Sequence, residues 1–225
     1  MLKKLFMLFK IGRRLSTSGA ISSIYEIYNP PISIKIFFYL IGLGSSGEEK
    51  SKNTSAGKRL CDALQNMGTT FIKLGQFLAT RPDIIGENIA KDLEKLQDRL
   101  PPFDLNEAKS ILKEEIGDKN FQQITNISEP IAAASIAQVH FANINISGEN
   151  KEVAIKILRP NIEKIFNEEI DALMLLAYIV QSLAEKTKRL KLVEIVQLLR
   201  EITNVEMDLR FEAAAANEFY ENTKN

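Results

Sequence analysis

The sequence holds one cysteine, Cys61, and one histidine, His140, in 225 residues. An internal disulfide needs two cysteines, and a zinc cluster of the usual type needs more ligands than this pair supplies. Serine-histidine chemistry would rest on His140 alone. Neither sign of charge is in excess, with 29 basic residues against 29 acidic ones. No global positive field therefore draws the chain to nucleic acid, and no RNA-binding aromatic motif is present. The apolar run IKIFFYLIGLG at 34–44 is about half the ~20 residues that a spanning helix requires, so no bilayer-crossing segment is expected.

What is present is ordinary globular material, 45% apolar and 26% charged, enough for one large or two small domains. Disorder and collagen-like structure are excluded. The opening MLKKLFMLFKIGRR carries Lys3, Lys4, Lys10, Arg13 and Arg14 without an acid, beside Leu2, Leu5, Phe6, Leu8, Phe9 and Ile11. Residues 1–43 thus start as a basic amphipathic segment, which either packs on its own protein or attaches to an anionic membrane surface. Lys10 interrupts any signal-peptide core, and no small-residue cleavage site follows. Residues 44–57, GSSGEEKSKNTSAG, read as a flexible linker.

The folded body is expected from Lys58. Leu60, Leu64, Met67, Phe71, Leu74 and Leu78 recur at helical steps, which predicts one helix ending at Arg81-Pro82-Asp83. Thr69, Lys73, Gln76 and Thr80 form a polar stripe on it, and Gly75 costs that helix about 1 kcal/mol relative to alanine. A glycine there fits close passage of another backbone. A second helix carries Ile89, Leu93, Leu96 and Leu100 to Pro101-Pro102. A third opens at Asp104, with Glu107 three residues on, and closes at Gly117. Residues 58–127 are thereby a helical extension.

From residue 128 the period changes. EPIAAASIAQVHFANI (129–144) and EVAIKIL (152–158) flank the turn chemistry of Ser147-Gly148-Glu149-Asn150, which predicts an antiparallel hairpin preceded by an alanine-rich loop. Two helical stretches follow, near 161–185 and 191–222. Helices, a small sheet and then helices give an α+β fold with the sheet as a minority.

Strand alternation puts Ala154 and Lys156 on one face and Val153, Ile155 and Ile157 on the other. Alanine leaves room for a flat base, and a lysine two residues along reaches phosphates. The alternative is a solvated lysine at a strand rim. Glu206, Asp208 and Glu212 on the last helix are the carboxylates available to it, or else ordinary solvated acids. On a continuous helix Asp208 and Glu212 share a face, while Glu206 lies about 200° from Asp208, so the three cannot all do one job. The loop Ala132, Ala133, Ala134, Ser135, Ile136, Ala137 stands where kinases place glycines to let backbone N–H groups approach phosphate.

Together, GTTFIKLGQFLATRPDI (68–84), LQDRLPPF (96–103), EPIAAASIAQVH (129–140), VAIKILRPNI (153–162) and EMDLRFEAAAAN (206–217) resemble the UbiB/ADCK family of atypical protein-kinase-like proteins, in the family's order. The resemblance implies a kinase-like N-lobe at 128–225. Lys73, Gly75 and Gln76 match the KxGQ motif, whose helix covers the nucleotide site and restrains kinase activity. Ala132 to Ala137 match the alanine-rich loop, although many members carry glycine where this chain has Ala137. Lys156 matches the strand lysine, Glu206 and Asp208 the ExD motif, and Glu212 its ion-pair partner. ATP or ADP with Mg2+ is the implied cofactor.

The family's catalytic-loop HxD and metal-binding DFG are not in this sequence, so most metal ligands are expected outside it. The expectation is an N-terminal part of a UbiB-like ATPase supporting ubiquinone biosynthesis, its C-lobe absent. Its expected place is the cytoplasmic face of a bacterial inner membrane or the mitochondrial inner membrane. Expected partners are an anionic membrane surface, a C-lobe polypeptide and ubiquinone-biosynthesis proteins, with no nucleic acid. The alternative is a non-catalytic membrane or lipid adaptor, or an inactive truncated product.

Overall fold

A computed structural model describes residues 2–41, 54–96, 100–146 and 148–224, so most of the expected linker lies outside the described residues. The architecture is α+β. Helices α1 (Leu2–Thr17), α2 (Ala20–Tyr28), α3 (Ile32–Ile41), α4 (Ala56–Met67), α5 (Thr69–Ala79), α6 (Pro82–Ile85), α7 (Glu87–Leu93) and α8 (Leu105–Phe121) come first. Strands β1 (Ile124–Thr125), β2 (Ala132–Ala133), β3 (Ala137–Ile146) and β4 (Glu149–Leu158) follow. Helix α9 (Ile162–Leu183), a 3-10 turn (Glu185–Leu190), α10 (Leu192–Met207) and α11 (Leu209–Asn222) close the described chain. Two compact units result: Met1–Gln97 with Lys164–Val205, and Asp98–Glu163 with Glu206–Asn225.

The first unit is helical. Leu8, Ile11 and Leu15 form the buried side of α1, and Leu60, Leu64, Met67, Phe71 and Ile72 are buried along α4 and α5. Arg14 joins three elements: it pairs with the buried Glu169 of α9 at 2.9 Å, donates to the Met67 carbonyl that ends α4, and lies 5.7 Å over the Phe71 ring. A buried carboxylate needs such a partner.

The single helix expected from Lys58 to Thr80 is two helices. The apolar stripe continues across the junction, but Gly68 has φ 94° and ψ −172°, a conformation open to glycine at little cost, and it ends α4 and starts α5. The fold also starts before Lys58, because Ser55 caps α4 by accepting from the Lys58 N–H at 3.1 Å. The helix expected from Ile89 to Leu100 shortens to α7, with Leu96 buried beyond its end. At Gly75 the close neighbours are side chains, not the passing backbone expected: an added Cβ would stand 2.2 Å from Leu96 Cδ1 and 2.9 Å from Leu64 Cδ1.

In the second unit β3 is central. One edge pairs antiparallel with β4 over its whole length, from Ala137 opposite Leu158 to Ile146 opposite Glu149, which is the expected hairpin. The other edge takes β1 at one end and β2 at the other. Asp104 caps α8 by accepting from the Asn106 and Glu107 N–H groups at 2.8 and 3.3 Å. Gly117, at φ 78°, kinks α8 where closure was expected. Ala108 and Leu112 of α8 pack on Ile157 of β4, with Ile155 and Phe103 beside them. His140 is fully buried and satisfied: its Nε2 faces the Gln138 amide at 2.9 Å and its Nδ1 the Ser128 carbonyl at 2.8 Å. Gln138 also exchanges hydrogen bonds with the Phe103 backbone, at 2.9 and 3.2 Å. His140 is therefore a core residue rather than a base for serine.

The space at Gly75 gives a stability prediction. Gly75→Val inserts three carbons between buried Leu64 and Leu96, and overpacking of this kind costs about 1–3 kcal/mol. Urea denaturation should show a lower midpoint with an unchanged slope.

Candidate functional site

The site is built on the face of β4 that α8 does not cover. With Ile155 and Ile157 packed towards α8, period-2 alternation turns Ala154 and Lys156 outward. Across the hairpin Lys156 stands opposite Val139, and Ala154 opposite Phe141, which is 45% exposed. Lys156 Nζ donates to Glu212 Oε2 of α11. The two side chains retain 34% and 59% of their exposure, so this is a solvent-facing pair that contributes little to stability. Its consequence is direction, since the carboxylate sets where the ammonium points.

The long last helix of the sequence reading divides at Asp208, whose φ −84° and ψ 88° are not helical. Its carboxylate accepts from the Arg210 N–H at 3.1 Å as N-cap of α11 and takes the Arg210 guanidinium in a bidentate pair at 2.7 and 2.6 Å. That side-chain hydrogen bonding holds the Asp208 carboxyl below its ordinary range. Asp208 and Glu212 thus do not share a helix face as the continuous-helix reading had it. Glu206 sits exposed in the last turn of α10.

The alanine-rich segment is a tight hairpin more than a loop. Ala132 and Ala133 form β2, pairing with Val139 and Gln138, and the turn is Ala134-Ser135-Ile136, closed by the Ala134 N–H donating to the Ala137 carbonyl at 2.8 Å. Ser135, Ile136 and Ala137 are buried. What the turn offers a ligand is backbone, and alanine limits how that backbone moves.

Arg159 holds this turn, and the sequence reading did not single it out. Its guanidinium donates to the Ala134 carbonyl at 3.0 and 2.8 Å, to Pro101 at 3.0 Å and to Leu100 at 3.2 Å, while its own N–H donates to Ile136 at 2.9 Å. The available signal was alternation: Arg159 continues the Val153, Ile155, Ile157 face, where a charge must find partners.

Lys156 and Glu212 are therefore in contact, and Glu206, Asp208 and the alanine-rich turn belong to the same compact unit. Lys73, Gly75 and Gln76 lie on α5 in the other unit, where Gly75 is buried and Lys73 and Gln76 are half-buried. Among the described residues no three His, Cys, Asp or Glu side chains converge as a metal site.

The ABC1 atypical kinase-like domain matches residues 95–225. The probable protein kinase UbiB of Marinobacter nauticus is 35% identical over 196 residues, covering 87% of this chain and 35% of that protein. Its counterparts in Pseudomonas aeruginosa and Pseudomonas fluorescens are 40% and 37% identical, over 74% and 77% of this chain and 31% and 32% of their own lengths. The chain spans about a third of the length of these curated relatives. No solved structure matches it.

Arg159 can be tested separately from any ligand. Arg159→Ala leaves the Ala134, Pro101 and Leu100 carbonyls without their charged donor, at a cost of about 1.5–3 kcal/mol. Arg159→Lys should recover little, because a point charge cannot span three carbonyls. Hydrogen exchange in residues 134–137 should quicken in both variants.

Proposed function

We propose that this chain, which belongs to the UbiB family of ABC1 atypical kinase-like proteins, forms a nucleotide-binding, N-lobe-like part of a protein supporting ubiquinone biosynthesis at a membrane. The observation that carries this reading is the Lys156–Glu212 pair on the open face of β4, beside Ala154. In kinases such a lysine, held by a helix glutamate, binds the nucleotide's phosphates. An ammonium has three donors and Glu212 takes one, so phosphate oxygens can share the group. Ala154 and Val139 leave room beside Lys156, and the exposed Phe141 ring opposite Ala154 bounds that face. The turn held by Arg159 covers the phosphates with backbone, and Lys73, Gly75 and Gln76 carry the regulation that the family resemblance assigns to their helix.

The residues fit ATP or ADP better than they fit a resident metal. Asp208 is engaged by Arg210, and no metal cluster forms among the described residues. Magnesium in this reading arrives on the nucleotide. Turnover in this reading requires a C-lobe polypeptide as partner, beside ubiquinone-biosynthesis proteins; the chain by itself binds nucleotide and hydrolyses it slowly or not at all.

Calorimetric titration of the purified chain with Mg-ATP and ADP tests the reading. Saturable binding is expected, weakened about tenfold or more by Lys156→Met, because a charge-assisted contact to phosphate is lost. Glu212→Gln should weaken it less, and both variants should melt with the unaltered protein. Binding that ignores Lys156, or no binding, would overturn the nucleotide reading.

A further inference from the structure

Helix α10 is apolar on two faces. Ile195, Val196 and Leu199 are buried, while Leu198, Ile202 and Val205 are 40%, 41% and 56% exposed. The exposed three recur at steps of four and three, so they run as one stripe for about 10 Å along the helix. Single exposed apolar residues are ordinary, but a stripe at this spacing is the pattern by which one amphipathic helix receives another.

The stripe opens into a groove. Between α9 and α10 lies an open cavity of about 480 Å³, lined by Met174 and Tyr178 of α9 and by Val193 and Leu198 of α10. Rolling α10 over cannot hide these side chains, because its inner residues are already in the core. The Arg200 guanidinium also ties it to α9, donating to Asp171 at 2.7 Å. A small molecule could fill the cavity but would leave Ile202 and Val205 uncovered; an extended partner covers both.

Charge selects the occupant. Of the described residues that line the groove, Glu194 and Glu201 are exposed acids, and the single cation, Arg200, is engaged by Asp171. Gln197 donates to Glu201 Oε1 at 2.9 Å, which holds that carboxylate at the rim. Lys191 and Arg189 precede α10 and do not line the groove. An acidic rim repels anionic headgroups, so a lipid surface does not fit here. A second copy of the chain would bring the same two carboxylates to both sides of an isologous contact, which like charges oppose. We propose that the groove between α9 and α10 is a docking surface for a cationic amphipathic helix of another protein, its apolar side on Leu198, Ile202 and Val205 and its cations on Glu194 and Glu201. This goes beyond the nucleotide reading and does not depend on it.

The probe is a synthetic amphipathic peptide of leucine and lysine, sixteen residues long to match α10, with a leucine and glutamate peptide as its counterpart. Fluorescence anisotropy with the whole chain should show saturable binding of the lysine peptide, weakened by salt, and none of the glutamate peptide. Glu194→Lys combined with Glu201→Lys should weaken the lysine peptide about tenfold or more and bring in the glutamate peptide instead. Leu198→Ser combined with Ile202→Ser should weaken the lysine peptide with the charge unchanged. Circular dichroism checks that both variants fold, and hydrogen exchange on binding should slow in α9 and α10 alone. The proposal is overturned if the lysine peptide does not bind, if the folded charge-reversed variant binds it equally well, or if the protection falls on other elements. It is also overturned if the face instead holds two copies together, seen in sedimentation as a dimer that Ile202→Glu dissociates.

Discussion

The burial of Ile157 against Ala108 and Leu112 decides the phase of β4, and with it everything placed on that strand. A slip of one residue would send Lys156 into the apolar layer under α8 and bring Ile157 out to solvent. Such a slip would bury an ammonium and expose an isoleucine, so both errors oppose it. The cap at Asp104 and the exchange between Gln138 and the Phe103 backbone hold α8 and the segment before it where that layer needs them. The direction of Lys156 is thus set on the opposite side of the sheet from the lysine itself.

Much of this was legible because its cause is local. The β3–β4 hairpin announces itself by alternation and turn residues, and α8 by Asp104 and Glu107. The breaks at Gly68 and Asp208 were not read, because the apolar stripe runs on through the first and the helix formers through the second. Asp208 did carry a signal, being a preferred N-cap residue type, although Phe211 rather than an acid stands three residues on. Gly75 was noticed as costly to its helix, but which atoms approach it depends on Leu96, a residue twenty-one positions along. No sequence pattern indicates that residues 164–205 fold with the first 97 while 206–225 fold with the sheet. That return depends on packing between distant elements, as in the pairing of Arg14 with Glu169.

The two ion pairs with most bearing on function differ in burial, and burial decides what each can do. Glu169 is 8% exposed while the Arg14 side chain is 33% exposed, so losing Arg14 would strand a mostly buried carboxylate, at a cost up to the ~3–5 kcal/mol of a fully buried pair. That pair is a fastener. Lys156 and Glu212 face solvent, and water screens their attraction to a fraction of that value. A weak pair has the property a ligand site needs, because an incoming phosphate competes only with a contact that is cheap to loosen. Glu212 sits on α11, a helix that buries none of its own residues, so its carboxylate can follow or release the ammonium without disturbing a core. Had the sequence placed this lysine against a buried carboxylate, the pair would have stabilised the fold and been closed to any other anion.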